Sequence, residues 1–236
     1  MRKPVIGVTL SWYKNDQQKT DSFGKWCFGL NQTYAELIAG AGALPVGIIP
    51  AGKEYRDILD IIDMVLLTGG GDPDPELYGQ KNNGSKNCSR ERFIWEIDMY
   101  RSARAMGKPV FGICLGMQLI GIAEGVSLIQ DIPSQIKGAL DHYGKPHIPR
   151  KHTIRIMDNT VLHGILGSEA EVSSFHHQGI SRMPEGFLLA AQSSDDIIEA
   201  IESDDGGVLA VQWHPERDFT GPLILNAMLS RMTVGD

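Results

Sequence analysis

The stretch Phe111-Gly112-Ile113-Cys114-Leu115-Gly116-Met117-Gln118 reads as the end of a strand, a sharp turn and the start of a helix. The apolar run 108–113 leads into it and the apolar run 115–123 leads out. Glycines two residues either side of a cysteine let strand and helix pass closely through a tight turn. This is the spacing of a nucleophile elbow, with cysteine in place of serine. Such an elbow lifts its side chain out at the C-terminal edge of a sheet. The helix N-terminus that follows places partial positive charge near the sulfur and favours thiolate. Cys114 is therefore a candidate nucleophile. The plainer reading is a small buried residue where a helix crosses a strand.

Working outward, the first half of the chain alternates short apolar runs with helical spacing. Residues 5–10, 43–49, 63–67 and 108–113 read as strands, with 126–129 as a fifth. Pro45 marks the second as an edge strand or a strand start. Between them, Asn31 can cap a helix whose apolar face is Tyr34, Leu37 and Ile38. Residues 54–61 suggest a short helix, and 90–106 a longer one stopped by Gly107. Later, 152–156 alternates, and 195–202 and 208–213 are strand-like runs around the turn Asp204-Asp205-Gly206-Gly207. Residues 12–25, 73–89 and 133–151 read as polar connections without a period. The expected fold is α/β: a flavodoxin-like central, mostly parallel sheet flanked by helices, with antiparallel strands added in the C-terminal third.

The chain has 236 residues, 22 basic and 29 acidic, for a net charge of −7. That balance argues against a broad nucleic-acid footprint. No apolar stretch approaches the roughly 20 residues of a membrane span. The N-terminus, Met1-Arg2-Lys3-Pro4, leads into a first strand and not a signal peptide. Three scattered cysteines, Cys27, Cys88 and Cys114, make no disulfide framework, so a cytoplasmic, reducing compartment is expected.

Three further motifs can serve the elbow. In Gln212-Trp213-His214-Pro215-Glu216, the histidine and glutamate stand two apart at a strand end, so both side chains can share a face. A thiolate needs an imidazole to manage its proton, and the imidazole needs a carboxylate to hold its tautomer. In Leu67-Thr68-Gly69-Gly70-Gly71-Asp72, backbone N–H groups stand clear of side chains and can form an oxyanion hole with Leu115 N–H, or simply a tight turn. Ser173-Ser174-Phe175-His176-His177-Gln178-Gly179 carries adjacent histidines. No cysteine or glutamate stands nearby at ligand spacing. His142, His147 and His152, five apart, also look unlike a metal site, so no metal is expected.

Taken together and in this order, the motifs resemble the class I (triad) glutamine amidotransferases. More closely, they resemble the stand-alone γ-glutamyl hydrolases of the peptidase C26 group, typified by γ-glutamyl-γ-aminobutyrate hydrolase. The matching stretches run from Pro4-Val5-Ile6-Gly7 to His214-Pro215-Glu216 and include Tyr34 to Pro45 and Leu66 to Tyr78. The resemblance implies a single amidotransferase-like domain over 1–236. It implies Cys114 as nucleophile, His214 as general base and acid, and Glu216 as orienting carboxylate. Gly70 and Gly71, with Gly69 as a third candidate, and Leu115 would donate oxyanion-hole N–H groups. Gln118, Phe175, His176 and His177 would hold the glutamyl end of the substrate.

The implied reaction is thiolate attack on a γ-glutamyl amide, release of an amine, and hydrolysis of the thioester, with no cofactor. The partner implied is a small-molecule γ-glutamyl substrate, with neither nucleic acid nor membrane, and a homodimer as the commonest assembly. The leaving amine would be γ-aminobutyrate, a polyamine derivative (as in polyamine catabolism) or an aromatic amine. Leu115 and Arg217 depart from the arginine and the aromatic often found there in related hydrolases. Two alternatives stay open: a glutaminase subunit passing ammonia to a synthase, and a non-catalytic relative keeping the elbow cysteine as a redox sensor.

Overall fold

In a computed structural model, nine strands form one mixed sheet whose first half is wound like a flavodoxin. The structure describes residues 2–14, 26–50, 54–86, 88, 90–144, 148 and 150–232. The strands, in chain order, are β1 (Val5–Thr9), β2 (Ser11–Lys14), β3 (Trp26–Gly29), β4 (Leu44–Ile48), β5 (Met64–Leu67), β6 (Val110–Ile113) and β7 (Leu128–Ile129). They continue as β8 (Arg150–Ile156), β9 (Glu169–Ser174), β10 (Gly179–Ile180), β11 (Phe187–Ser193), β12 (Ile198–Ser203) and β13 (Val208–Val211). The helices are α1 (Gln32–Gly40), α2 (Glu91–Ala105), α3 (Leu115–Ala123), α4 (Ile132–Gln135), α5 (Val161–Leu166) and α6 (Thr220–Met232).

The large sheet runs β4-β1-β5-β6-β13-β12-β11-β8-β9. The pairs from β4 through β13 are parallel, in the doubly wound order 2-1-3-4-5. From β13 outward every pair is antiparallel. The parallel strands need cover on both faces, and their residues are accordingly apolar without interruption. In β5, Met64 and Leu66 face one core with α1, α5 and α6, while Val65 and Leu67 face the other with α2 and α3. Period-two alternation thus divides a four-residue run between two cores.

Several expectations hold in detail. Asn31 caps α1, its side chain accepting from the Thr33 N–H at 3.1 Å, and Tyr34, Leu37 and Ile38 are buried. The Pro45 strand, β4, is an edge of the large sheet. The turn at 204–207 joins β12 to β13 as an antiparallel pair.

Others are corrected. The stretch 126–129 contributes only Leu128–Ile129, which pairs with β10 outside the large sheet. Residues 54–61 form a 3₁₀ helix, Glu54–Asp60. The segment 12–25 begins in β2, which pairs with β3 as a hairpin; residues 15–25 lie outside the described residues, as does His147. The stretch 133–151 is not simply a surface loop. It includes the end of α4 and the start of β8, and His142 within it is buried. Periodicity missed β9, β11, α5 and α6, whose patterns mix buried and exposed positions unevenly. Among the described residues no helix is long and apolar enough to cross a membrane.

Candidate active site

Three connections meet at the carboxyl ends of adjacent parallel strands, where open α/β sheets place their ligands. They are Thr68–Asp72 after β5, Cys114 after β6, and Gln212–Glu216 after β13. Cys114 sits at φ +51°, ψ −102°, a conformation that costs a non-glycine residue on the order of 1–3 kcal/mol. Its N–H donates to the Val211 carbonyl at 2.8 Å, tying the elbow to β13. The flanking glycines are required by contact. A Cβ at Gly116 would collide with the Leu67 carbonyl oxygen and lie 2.8 Å from Leu67 Cβ. One at Gly112 would lie 2.7 Å from Ile120 Cδ1.

His214 is brought to the elbow across a hundred positions of sequence. Its N–H donates to the Ser173 carbonyl at 2.8 Å, and the preceding Trp213, fully buried, donates its indole N–H to Thr220 Oγ1 at 3.0 Å. Glu216 Oε1 lies 2.8 Å from His214 Nδ1. A carboxylate accepts only, so Nδ1 carries a proton and Nε2 is the nitrogen left for the sulfur. A Cβ at Gly69 would stand 3.0 Å from His214 Cε1 and 3.8 Å from Cys114 Cβ, so imidazole and cysteine flank the same backbone point.

Burial opposes charge on His214. The negative charges of Cys114 and Glu216 outweigh it and push the imidazole up to about 10. A folded-state pKa above the ordinary value means the fold favours the protonated ring. The stabilisation is full below about pH 6.5, the unperturbed value, and is lost as pH rises towards 10. The melting-temperature gap between the parent and His214→Gln is therefore expected to be widest below about pH 6.5 and to shrink steadily to pH 10. Thermal melts across that range check it; a gap that widens with pH reverses the assignment.

The glycine loop is held from beneath. Arg92, buried in α2, donates to the Gly69 carbonyl at 3.2 Å and Thr68 Oγ1 at 3.1 Å, and pairs with buried Glu96 at 3.1 Å. A Cβ at Gly70 would lie 2.5 Å from Arg92 Nη1 and 2.7 Å from Leu115 Cδ2. The Gly69 N–H donates to Tyr34 Oη at 3.0 Å. It is thus already committed, which leaves Gly70, Gly71 and Leu115 as the candidate oxyanion donors.

A cleft of about 200 Å³ opens above the sulfur, walled by Gly70, Asp72, Lys86, Gln118, Phe175 and His177 among others. Gln118 Nε2 donates to the Gln178 carbonyl at 3.2 Å and reaches Gln212 Oε1 at 3.4 Å, and Gln212 Nε2 reaches Cys114 Sγ at 3.6 Å. His177 lies between two carboxylates: Nε2 is 3.0 Å from Asp72 Oδ2 and Nδ1 is 3.1 Å from Asp131 Oδ1. Each ring nitrogen faces a carboxylate, and the Asp72 hydrogen bond in particular raises the pKa of the ring. Phe175 stacks on Tyr143 at 4.6 Å between ring centroids.

All the expected site residues therefore gather in one place, with one qualification. His176 shares the cleft wall, but both its ring nitrogens face protein groups: Nδ1 is 3.0 Å from the Gln178 carbonyl and Nε2 is 3.6 Å from Glu199 Oε1. No glutamate stands at ligand spacing from these histidines in the sequence, but folding brings Glu199 of β12 beside His176 from more than twenty residues downstream. Sequence reasoning also missed Tyr34, Gln212, Asp72 and Asp131. Asp72 and Gln212 stand inside motifs already singled out. Tyr34 and Asp131 are joined to the site only by folding.

Comparison with known proteins gives the chain's relatives. A family model described as peptidase C26 matches residues 4–216. A glutamine amidotransferase-like protein of Lactococcus lactis is 33% identical over 220 residues, covering 90% of each chain. The γ-glutamyl-γ-aminobutyrate hydrolase of Escherichia coli K12 is 28% identical, covering 92% of this chain and 87% of its own. The crystal structure of a candidate GMP synthase component from Thermoplasma acidophilum superposes with a TM-score of 0.66 at 19% identity, over 99% of this chain and 98% of that one, a likeness of fold.

Proposed function

Because the chain belongs to the peptidase C26 family, whose hydrolase relatives point to an enzyme, we propose that it hydrolyses γ-glutamyl amides through a thioester on Cys114. The observation that carries this reading is that Cys114, which lines the cleft, is backed by His214, whose Nδ1 lies 2.8 Å from Glu216.

The proposed sequence follows from the residues. The Cys114 thiolate attacks the γ-carbonyl carbon, and the carbonyl π electrons move onto oxygen. The oxyanion is met by the N–H groups of Leu115 and of Gly70 or Gly71, backbone donors whose use would require little reorganisation. The C–N bond then breaks, and His214, protonated on Nε2, delivers that proton to the departing amine. Water enters, His214 takes its proton, and hydroxide attacks the thioester. The C–S bond breaks to release glutamate and restore the thiolate. Glu216 stabilises the imidazolium in each half.

The glutamyl α-amino and α-carboxylate groups need opposite charges within reach. Asp72 and Lys86 on the cleft wall supply one of each. His177, held between Asp72 and Asp131, orients the Asp72 carboxylate.

The test is turnover by the purified, reduced chain alone on a panel of γ-glutamyl amines, including γ-glutamyl-γ-aminobutyrate and γ-glutamyl polyamines. Glutamate release, with a γ-glutamyl adduct on Cys114 by mass spectrometry, is the expected result. No release from any panel member by folded protein would sink the reading. The Lactococcus relative's amidotransferase-like description supports a second reading, glutamine hydrolysis coupled to a synthase. Glutamine preferred over every γ-glutamyl amine, with stimulation by a co-purifying synthase, would decide for it.

A further inference from the structure

Beneath the cleft wall lies a cluster that the proposed reaction does not use. His142 precedes β8, His152 is on β8, His176 follows β9, and Glu199 is on β12. All four are buried or nearly so: side-chain exposure is 1% for His142 and His176, 7% for His152 and 0% for Glu199. Three imidazoles converge on one carboxylate oxygen. From Glu199 Oε1, His152 Nε2 is 3.2 Å, His142 Nδ1 is 3.3 Å and His176 Nε2 is 3.6 Å away.

The tautomers make this convergence informative. His142 Nε2 is 2.9 Å from Asp195 Oδ2, an acceptor, so Nε2 carries a proton and Nδ1 is the nitrogen turned towards Glu199. His176 Nδ1 is 3.0 Å from the Gln178 carbonyl, also an acceptor, so Nδ1 of that ring carries a proton and Nε2 is turned towards Glu199. Among the described residues neither inward nitrogen has a hydrogen-bond donor, and neither Glu199 oxygen has a partner. A buried carboxylate beside unbonded imidazole nitrogens is costly unless a proton or a metal ion lies between them.

The spacing suits a metal ion. Ligand atoms at about 2.0–2.1 Å from a tetrahedral zinc are separated by about 3.3–3.4 Å from one another. The three inward atoms of His142, His176 and Glu199 all lie within 4.8 Å of one another. The outward nitrogens of the two histidines are held by a carboxylate and a backbone carbonyl, the arrangement that orients ligating imidazoles.

We infer that His142 Nδ1, His176 Nε2 and Glu199 Oε1 form a binding site for a divalent first-row transition metal of the zinc class. Imidazole nitrogens and one carboxylate favour zinc and its neighbours over calcium or magnesium. His152 also lines a surface pocket with Ser193 and Asp196, which gives the ion a route in. The site's role is structural. It ties the segment before β8 and the turn after β9 to β12, and so holds Phe175 and His177 in the cleft wall. The inference does not rest on which amide is hydrolysed.

The test uses the full chain carrying Cys114→Ala, so that the thiolate cannot take the metal. After chelation, loading with zinc and gel filtration, elemental analysis is expected to find about one zinc per chain, with a raised melting temperature. Glu199→Gln and His142→Ala are each expected to weaken zinc binding by about a hundredfold or more, whereas His163→Ala, on α5, leaves it unchanged. Because the cluster variants can misfold, diffraction at the zinc edge from the loaded Cys114→Ala chain provides an independent arm. An anomalous peak is expected within bonding distance of His142, His176 and Glu199. Absence of retained zinc, retention unaltered by both cluster variants, or a peak elsewhere in the molecule would each overturn the inference and leave a proton shared within the cluster.

Discussion

Cys114→Ser is expected to lower kcat/KM on γ-glutamyl amides by about a thousandfold or more while leaving the fold intact. The hydroxyl fills nearly the same space, and the strained backbone at φ +51° is unaltered, so melting temperature changes little. What changes is the nucleophile. A sulfur nucleophile attacks as the thiolate, whereas an alcohol loses its proton only while it attacks and needs His214 to remove it in that step. The proposed proton path is arranged for a thiolate already formed, with His214 raised to about 10 and so already protonated for the leaving amine. The double variant Cys114→Ser/His214→Ala is expected to lose little more than Cys114→Ser alone, because residues that act as a unit are not additive. Glutamate release under single-substrate conditions, with circular dichroism on the same samples, checks both points. Cys114→Ser activity within tenfold of the parent would remove Cys114 from the chemistry.

Gly116→Ala is expected to destabilise the chain by about 3 kcal/mol and to lower its melting temperature by about 6–12 °C. Alanine ordinarily improves a helix over glycine, by about 0.5–1 kcal/mol. Here the new methyl would meet the Leu67 carbonyl oxygen and Leu67 Cβ, on a strand that cannot recede because β1 and β6 hold it on both sides. Relief requires α3 to lift from the sheet, and that movement carries the Cys114 elbow away from His214. Activity should therefore fall together with stability. Gly164→Ala, in α5 with nothing within 4 Å of the added carbon, is the control and should be neutral or stabilising. Differential scanning calorimetry of the three proteins separates the contact from the propensity.

Both effects arise at features that the sequence displays locally. The elbow, the glycine loop and the His-Pro-Glu pair were each legible because a tight crossing needs glycine at fixed offsets, and a strand end places residues two apart on one side. The parallel half of the fold was legible for a similar reason, since strands covered on both faces are short unbroken apolar runs. The antiparallel half was only partly so. In β9 and β11 burial alternates imperfectly, and β11 carries register shifts against β12, which blur a period of two. The stretch 133–151 read as polar surface, yet one of its histidines is enclosed by Asp195 and Glu199, partners more than fifty positions away.

By itself, then, the amino-acid order determined the elbow, the order of the parallel strands' segments and the residues that could serve as nucleophile, base and carboxylate, because backbone sterics and side-chain chemistry act over a few residues. Only the tertiary structure decided that Tyr34 consumes the Gly69 N–H, that two aspartates flank His177, and that Glu199 gathers three histidines. Those are pairings between distant segments, selected by the register and packing of the sheet as a whole, and no local pattern encodes them.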